Sequence, residues 1–340
     1  MPRYFLDLPE EDAPLPWDPH AGPRPERADT RYFGGVFRAM EALLRDREID
    51  VYLTWDTERL PEYGERVVAV VLGDEVGRIP RYEGRIRAVF KSYGTRPASG
   101  ARPVPDASLT GLLEMAQYAV RCLKWLPGGA AHAGLLLGRR LRGEPLPAPV
   151  AVIPLGTYNQ VDLPLIPIEA RPTDIFFAGS LEHDRSLRNR LGSPKTRARH
   201  QMLAAVEQLG GDRPDLRTDL RLTAGFSASE STSGADYSRA LMDSRICLAP
   251  RGTSVETFRV LEGLRCGCVV VSERLPPHWF YEGSPVLQLD RWSDLDHALR
   301  PILDDPEELR RLHAQSLVWW RDRCSEEAVG HFLAERLNAL

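Results

Sequence analysis

Short apolar runs alternate with segments of helical periodicity along most of the chain. Turn residues bound each run, and the runs have the length of strands rather than of core helices. In chain order they are residues 4–8, 51–54, 66–72, 86–90, 174–178, 220–225, 246–249, 268–271 and 286–289. Helical patterns occupy residues 29–44, 109–123, 130–141 and 237–242, and three more helices start near Ser293, Pro306 and Glu326. Strands that alternate with helices predict an α/β protein with parallel sheets.

Prolines divide the chain into two parts. Residues 145–172 contain seven of the 28 prolines, which prevents a long helix there and marks a crossing between domains. We therefore expect two Rossmann-like domains, at residues 1–168 and 169–320. We also expect a last helix, in residues 321–340, to pack back towards the first domain.

The densest pattern lies in residues 246–272. A buried strand ends at Pro250, a helix is predicted from near Ser254, and Gly267 ends that helix before a second strand. One side of the predicted helix is apolar, and the other carries Glu256, Arg259 and Glu262. The apolar side is expected to pack on the sheet. The polar side then lies beside a glycine-containing loop at the end of a strand.

This loop has the features of an anion site. Unpaired backbone N–H groups and the positive end of the helix dipole meet at a helix N-terminus. We expect phosphate near Arg251, Gly252, Thr253 and Ser254. A ribose or base would then be held by Glu262, with Glu256 and Arg259 nearby. The alternative is that the three charged residues form solvated pairs at (i, i+3) spacing.

A second candidate for diphosphate binding follows the strand at residues 174–178. Gly179 and Ser180 end this strand, and a basic segment follows that contains Arg185, Arg188, Arg190, Lys195, Arg197 and Arg199. Most basic runs are solvated faces. One or two of these cations in a cleft would neutralise a departing diphosphate.

Candidates for a general base lie in the first half of the chain. Asp74 and Glu75 come just past the strand at residues 66–72, at the sheet edge where ligands bind in α/β folds. Asp18, His20 and Asp29 are alternatives on loops expected at the same edge. A surface turn or a helix cap is the alternative role for each of these residues.

The first turn of the helix at residues 29–44 contains Gly34 and Gly35 beside Tyr32. Glycine weakens a helix, so two in one turn suggest close approach by a ligand or by neighbouring backbone. We take Tyr32, Gly34 and Gly35 as candidates to contact a second substrate, the acceptor of a transferred group. Loose packing at a frayed helix start is the alternative.

Composition narrows the function classes. The 340 residues are 43% hydrophobic and 27% charged with a formal net charge of −4, which gives no electrostatic case for nucleic acid or an anionic membrane. No stretch approaches a membrane span, and the first residues lack a signal-peptide pattern. The five scattered cysteines are typical of reduced core thiols in a cytoplasmic protein. We expect no metal, because the one Asp-x-Asp sequence, Asp294 to Asp296, is placed for helix capping.

Residues 246–272 resemble the C-terminal signature of the exostosin family of glycosyltransferases. The matching residues are Cys247, Leu248, Pro250, Gly252, Ser254, Arg259, Glu262, Gly263, Gly267, Cys268, Val269 and Val271. Val270 departs from the family, which usually has proline there. The resemblance implies a GT-B fold, with two Rossmann-like domains that face each other across a cleft. It also implies inverting transfer from a nucleotide sugar, with UDP as the expected nucleotide, and no tightly bound cofactor or metal.

Two other functions remain open from the sequence. A nucleotide-sugar 2-epimerase could use the same two-domain frame, with acids and a histidine around one sugar. A non-catalytic protein that binds sugar nucleotides or glycans could keep the donor motif without a base. A hydroxyl-bearing acceptor is expected only for the transferase, and the sequence names neither that acceptor nor the sugar.

Overall fold

The computed structural model of the chain describes residues 1–24, 27–98, 109–158, 160–181, 193–223 and 234–340. The chain divides into two compact units. Unit 1 comprises Met1–Ala98, Tyr118–Gly156 and Cys324–Leu340, and unit 2 comprises Ser99–Gln117 and Thr157–Arg323. The third crossing between the units thus follows Gly156, inside the proline-rich segment and ahead of the predicted boundary at residue 169.

Unit 1 contains a six-stranded sheet in the order β2-β1-β3-β4-β5-β6. Its pairs are parallel except for β1 with β2. The apolar runs of the sequence form its middle, where Leu6, Leu53, Val70 and Phe90 lie in one buried row across four strands. The strands are β1 (Arg3–Asp7), β2 (Leu15–Trp17), β3 (Asp50–Thr54), β4 (Gly64–Val71), β5 (Ile86–Lys91) and β6 (Ala151–Val152). The short strands β2 and β6 were not predicted.

Helix α1 (Asp29–Leu43) follows β2 along the chain, and helix α2 (Leu109–Arg142) follows β5. The spacing of Phe33, Val36, Phe37 and Met40 predicts the buried face of α1. The prediction of two helices at 109–123 and 130–141 was wrong, because α2 is continuous with Pro127 inside it. A proline removes only one helical N–H donor, so the helix continues on both sides of it.

Unit 2 contains a five-stranded, all-parallel sheet in the order β11-β10-β9-β7-β8. The chain goes from β7 outward to β8 and then returns to the other side of β7 with β9. The strand order therefore reverses between β7 and β9, and in open α/β sheets a ligand crevice forms at such a point. The strands are β7 (Thr173–Ser180), β8 (Thr218–Thr223), β9 (Ser244–Ala249), β10 (Val269–Glu273) and β11 (Leu287–Leu289).

Five helices of unit 2 surround this sheet in the described part of the chain. Ser193 caps the first by accepting a hydrogen bond from Thr196 N, and Asp305 caps the last in the same way from Glu307 N and Glu308 N. Buried residues including Ile175, Val206 and Leu299 form the core between helices and sheet. The helices are α3 (Pro194–Asp212), α4 (Gly234–Met242), α5 (Phe258–Arg265), α6 (Leu295–Leu303) and α7 (Pro306–Trp319).

The last helix, α8 (Glu326–Asn338), packs against α1 within unit 1. A methyl group added to Gly330 would lie 2.5 Å from Val36 O, and one on Gly35 would lie 2.7 Å from Glu326 Cγ. These distances are too short for a real methyl group, so only glycine fits at either position without a shift of its neighbours. The two glycines therefore permit close approach of two helices.

The α/β fold class with two parallel sheets is confirmed. The predicted start of the helix near Ser254 was wrong, because α5 begins at Phe258 after an extended Thr257. Ser254 Oγ accepts a hydrogen bond from Glu256 N, a local side-chain bond that competes with helix formation. Glu256 therefore lies on the loop before α5 and not on the helix.

The five cysteines carry free thiols, and four of them are buried. Burial raises the pKa of Cys268 to about 11, with the charge of Arg171 opposing the change. The four buried cysteines are core thiols, as the sequence predicts, whereas Cys122 is half-buried.

Candidate functional site

The candidate site lies in unit 2, at the carboxyl ends of β7, β9 and β10. Three segments meet this edge: the end of β7 at Gly179 and Ser180, the loop after β9 at residues 250–257, and the loop after β10. The two strands on either side of the reversal, β7 and β9, are hydrogen-bonded neighbours. Residues that are 70 positions apart in sequence therefore come to one edge.

Cationic side chains of α3 reach the end of β7. Lys195 Nζ donates to Ser180 Oγ at 3.4 Å, and Arg199 donates from Nη1 to Ser180 O and from Nε to Arg251 O, the latter at 3.3 Å. Lys195 and Arg199 are both buried. The first turns of α3 thus present two cations to the strand end that the sequence predicts to approach a diphosphate.

Arg259 of α5 reaches the same strand end from the other side. Its Nε donates to Ala178 O, and its guanidinium lies over the ring of Phe177, 5.4 Å from the centroid. A methyl group added to Gly179 would lie 2.5 Å from Arg259 Nη2. Gly179 therefore has a defined function, which is to make room for this guanidinium.

Arg251 follows β9 and is 2% exposed. Its backbone N–H donates to Glu273 Oε2 at 2.8 Å, and its Nη2 donates to Gln117 Oε1 at 3.0 Å. Glu273, the last residue of β10, also accepts from Trp292 Nε1 at 3.0 Å. Glu273 thus fixes the loop after β9 through the main chain and supplies a buried negative charge.

Positive charge dominates this edge. Lys195, Arg199 and Arg259 contact residues 178–180, and Arg199 also contacts the backbone of Arg251, whose N–H is held by Glu273. Burial and then the nearby charge of Arg259 lower the pKa of Arg199 to about 9, while Glu273 opposes this change. Buried cations that repel one another are stabilised by an anion, so the cluster suits a phosphate or diphosphate group.

Glu262, predicted to hold ribose, is buried on α5 with both carboxylate oxygens engaged. Oε1 accepts from Tyr158 N at 3.1 Å, and Oε2 accepts from Tyr237 OH at 2.7 Å. Burial raises the pKa of Glu262, and the two hydrogen bonds oppose that effect. The contacts give this carboxylate a structural function, because it ties the segment at Tyr158 and helix α4 to α5.

The loop before α5 brings together polar groups of another kind. Glu256 is 3% exposed, and its Oε2 lies 3.5 Å from His278 Nε2 on the loop after β10. Thr257 is buried as the N-cap residue of α5, but its side chain makes no capping hydrogen bond. Ser254 is buried, Gly252 is half-buried and Thr253 is exposed.

Two further donor candidates complete the set. Arg197 is half-buried on α3. Arg188 lies outside the residues that the structure describes.

The Asp294 and Asp296 pair lies at the start of α6, where Asp296 accepts hydrogen bonds from Arg300 at 2.8 and 2.9 Å.

In unit 1, the first-ranked base candidate Asp74 is a buried partner of Lys91. Asp74 Oδ2 lies 3.1 Å from Lys91 Nζ and accepts from Arg78 N at 2.6 Å, and Oδ1 accepts from Val76 N at 3.3 Å. Lys91 also donates to Ser92 O and Gly94 O. These contacts explain Asp74 as the residue that orders its own loop against the end of β5. Glu75 follows it, half-buried, in that loop.

The alternative candidates differ from one another. Asp18 and His20 are exposed; Asp18 accepts from His20 N at 2.8 Å, and the imidazole lies 3.1 Å from Glu41. Asp29, in the first turn of α1, is buried, and no partner for its Oδ1 lies within hydrogen-bond distance among the described residues. Burial raises the pKa of Asp29, while Arg27 and two backbone N–H groups act against that change.

The acceptor-side candidates have packing contacts. Tyr32 is fully buried and donates its hydroxyl to Cys324 O at 2.6 Å. Gly34 lies against Trp17 and the carbonyl of Pro19, and Gly35 against Glu326. Gly35 makes room for the Glu326 side chain, whereas a methyl group on Gly34 would make only ordinary contacts of 3.5–3.8 Å. A role of these residues in acceptor binding stays a prediction.

A cavity that the sequence did not predict lies in unit 1, at the carboxyl ends of β1 and β3. Its volume is about 230 Å³, and acidic side chains form part of its lining. Burial raises the pKa of Asp7 in this wall, with the charge of Asp56 acting in the same direction. Asp7 also accepts from Thr54 Oγ1 at 2.6 Å. The cavity is polar and lies at the sheet edge where α/β folds bind ligands.

Sequence reasoning missed two contributors to the unit 2 site, Glu273 and His278, and named Arg199 only as one of six cations in the basic segment. Arg199 lies at helical spacing from Lys195, (i, i+4), so both cations share one face of α3. That spacing was available in the sequence. Glu273 ends a buried strand and His278 follows a Pro-Pro pair, and neither position has a pattern that distinguishes it from a turn.

Two general properties concern the whole described chain. Its helices include none with the length and apolar composition needed to cross a bilayer. Its histidine, cysteine and acidic side chains form no group of three or more that could hold a metal ion.

No family model and no curated protein matches this chain. Among solved structures, the GtfA/B complex matches at 12% identity and a TM-score of 0.43, over 91% of this chain and 61% of the other. The chain thus spans less than two thirds of the length of that structure. The glycosyltransferase SnogD from Streptomyces nogalater matches at 13% identity and a TM-score of 0.36, over 91% of this chain and 77% of the other.

AviGT4, a glycosyltransferase involved in avilamycin A biosynthesis, matches at 13% identity and a TM-score of 0.30, over 100% of this chain and 98% of the other. All three TM-scores lie below 0.5. The function of this chain is therefore inferred from its own residues.

Proposed function

We propose that this protein is an inverting glycosyltransferase that uses a nucleoside diphosphate sugar. The observation that carries this proposal is the set of three cations, Lys195, Arg199 and Arg259, that contact residues 178–180 at the reversal of strand order in unit 2. Arg251 joins them through its backbone carbonyl, which accepts from Arg199 Nε. The resemblance of residues 246–272 to the exostosin signature supports the same function and favours UDP.

The cluster has the chemistry that departure of a nucleoside diphosphate requires. Negative charge develops on the leaving diphosphate as the anomeric bond breaks, and preorganised cations stabilise it without rearrangement. Lys195 and Arg199 would contact the diphosphate from α3, and Arg259 would contact it from α5. Cations in these roles replace a divalent metal, so we propose that transfer is metal-independent.

We propose Asp29 as the general base that takes the proton of the acceptor hydroxyl. A useful base has a pKa moved towards the working pH and a free oxygen to receive the proton. Burial raises the pKa of Asp29, and its Oδ1 has no hydrogen-bond partner in the described part of the chain. Asp74 is less suited, because Lys91 and two backbone N–H groups already contact both of its carboxylate oxygens.

We propose that the acceptor binds to unit 1. Both a carbohydrate and a small molecule are candidates for this acceptor. The cavity at the ends of β1 and β3 has acidic walls that could accept hydrogen bonds from hydroxyl groups. An acceptor with several hydroxyls fits this lining.

Calorimetric titration with UDP, GDP, dTDP and ADP in the presence of EDTA tests the donor site. We expect wild-type protein to bind one of these nucleotides, and Lys195→Met to weaken that binding by about 10- to 100-fold, the effect of one hydrogen bond to a charged group. Lys124→Met, which removes an exposed lysine of α2, is the matched control and should bind normally. If wild-type protein binds none of the four, the proposal is wrong.

A further inference from the structure

Three polar side chains at the ends of β9 and β10 have unused hydrogen-bonding atoms. They are Glu256 and Thr257, on the loop before α5, and His278, on the loop after β10. Within the described residues, Glu256 Oε1, Thr257 Oγ1 and His278 Nε2 are buried and make no hydrogen bond. Buried polar atoms are nearly always hydrogen-bonded, so three on the loops that follow two paired strands need an explanation.

None of the three is explained by folding alone. Thr257 is the N-cap residue of α5, where a threonine hydroxyl normally accepts from the second or third helical N–H, yet it makes no such bond. Glu256 and His278 attract each other at 3.5 Å, a separation longer than a good hydrogen bond. The glutamate is 3% exposed and the threonine 7%. Their positions thus leave a carboxylate oxygen and a hydroxyl available to a ligand.

The available atoms define the chemistry of that ligand. A carboxylate oxygen accepts hydrogen bonds, and a threonine hydroxyl both donates and accepts. The imidazole Nε2 donates or accepts according to its tautomer. Two adjacent hydroxyl groups supply both donors and acceptors and match this set, whereas a phosphate would face the Glu256 carboxylate unfavourably.

We propose that Glu256, Thr257 and His278 form a subsite for a vicinal diol of the donor nucleotide. This inference rests on the proposed function and refines it. The cationic cluster takes the diphosphate, and the new subsite takes a neighbouring diol. Glu262 does not compete for this role, because both its oxygens already accept hydrogen bonds from Tyr158 N and Tyr237 OH.

A nucleotide sugar offers such a diol in two places, the ribose and the transferred sugar. Titrations of wild-type protein, Glu256→Gln and Thr257→Val with UDP, 2′-deoxy-UDP, UDP-glucose and UDP-galactose in EDTA distinguish them. If the ribose binds here, wild-type protein prefers UDP over 2′-deoxy-UDP about tenfold or more, and both variants lose that preference. If the sugar binds here, the variants keep normal UDP affinity and lose the extra affinity for a UDP-sugar.

Thr257→Val should fold well, because it removes a hydroxyl that caps nothing, and thermal unfolding of each variant checks this. Glu207→Gln and Thr218→Val change exposed residues of unit 2 and should bind as wild type does. Affinities of both test variants within threefold of wild type for all four ligands would overturn the subsite. Failure of wild-type protein to bind any nucleotide, UDP, GDP, dTDP and ADP included, would instead overturn the proposed function and the subsite together.

Discussion

Two aspartates of unit 1 show how surroundings decide what a carboxyl group can do. Asp74 is paired with the buried Lys91 and accepts two backbone hydrogen bonds, so both of its carboxylate oxygens are engaged. Asp29 is equally buried, but burial dominates and raises its pKa. A sequence shows both as acidic residues near predicted element ends. The two carboxyl groups differ in the neighbouring groups that the fold brings to them, and the sequence does not show those neighbours.

Asp29→Asn is expected to lower transfer by about 100- to 10,000-fold, the usual effect of losing a general base.

The same change should raise stability at pH 7. A carboxyl with a raised folded-state pKa favours folding below its unfolded pKa, and this contribution is lost as the pH rises through the folded pKa. Asparagine does not ionise, so the stability gain should shrink towards pH 4. Chemical denaturation at the two pH values measures this. Equal gains at both would contradict the raised pKa, and full transfer activity would exclude Asp29 as the base.

At the scale of elements, the turn between α5 and β10 depends on one residue. Gly267 has φ +70°, in the left-handed region that favours glycine, and its carbonyl lies 2.6 Å from His313 Nδ1 on α7. A methyl group there would lie 2.6 Å from the same imidazole ring. Burial lowers the pKa of His313, and the hydrogen bond with the Gly267 backbone opposes this change. The sequence predicts this helix end from the glycine alone.

Gly267→Ala should destabilise the protein by about 2 kcal/mol or more, since backbone strain and the contact with His313 add together. Gly210→Ala is the matched control, because Gly210 lies in α3 with open space around it. That variant should be unchanged or more stable by up to about 1 kcal/mol. Urea unfolding of both variants tests the difference, and similar values for the two would show that the turn is not constrained.

Sequence patterns predicted most elements but few of the site contacts. The central strands of both sheets were predictable because they are continuous apolar runs, and α1 because its buried residues recur with helical spacing. The start of α5 was not, since a single hydrogen bond between Ser254 Oγ and Glu256 N decides it. The candidate site depends on which strand ends become neighbours, which the order β9-β7-β8 sets and local patterns do not record.

At the scale of the whole molecule, unit 1 is made from three separate parts of the chain. Its last part, Cys324–Leu340, packs α8 on α1 through Gly330 and Gly35. Unit 2 has its own core, built on β7, β9 and β10. The stability of unit 1 therefore depends on contacts between its two most distant segments.

Gly330→Ala should loosen this helix pair, because the new methyl group would lie 2.5 Å from Val36 O. Hydrogen exchange followed by mass spectrometry should show faster exchange in α1 and α8, with little change in β7, β9 and β10. Glu335→Ala, an exposed position of the same helix, should exchange as wild type does. Uniformly faster exchange in both cores would contradict two separate cores.

The return of the chain to unit 1 has a consequence for synthesis on the ribosome. All of unit 2 has been translated once Arg323 is added, while unit 1 still lacks the helix that covers α1. Unit 2 can therefore fold first. Most of unit 1 is translated earlier, but the apolar face of α1 stays uncovered until α8 has been added. A chain cut after Arg323 would keep unit 2 and lack α8, so the uncovered apolar face of α1 would be a signal that quality-control proteases can recognise.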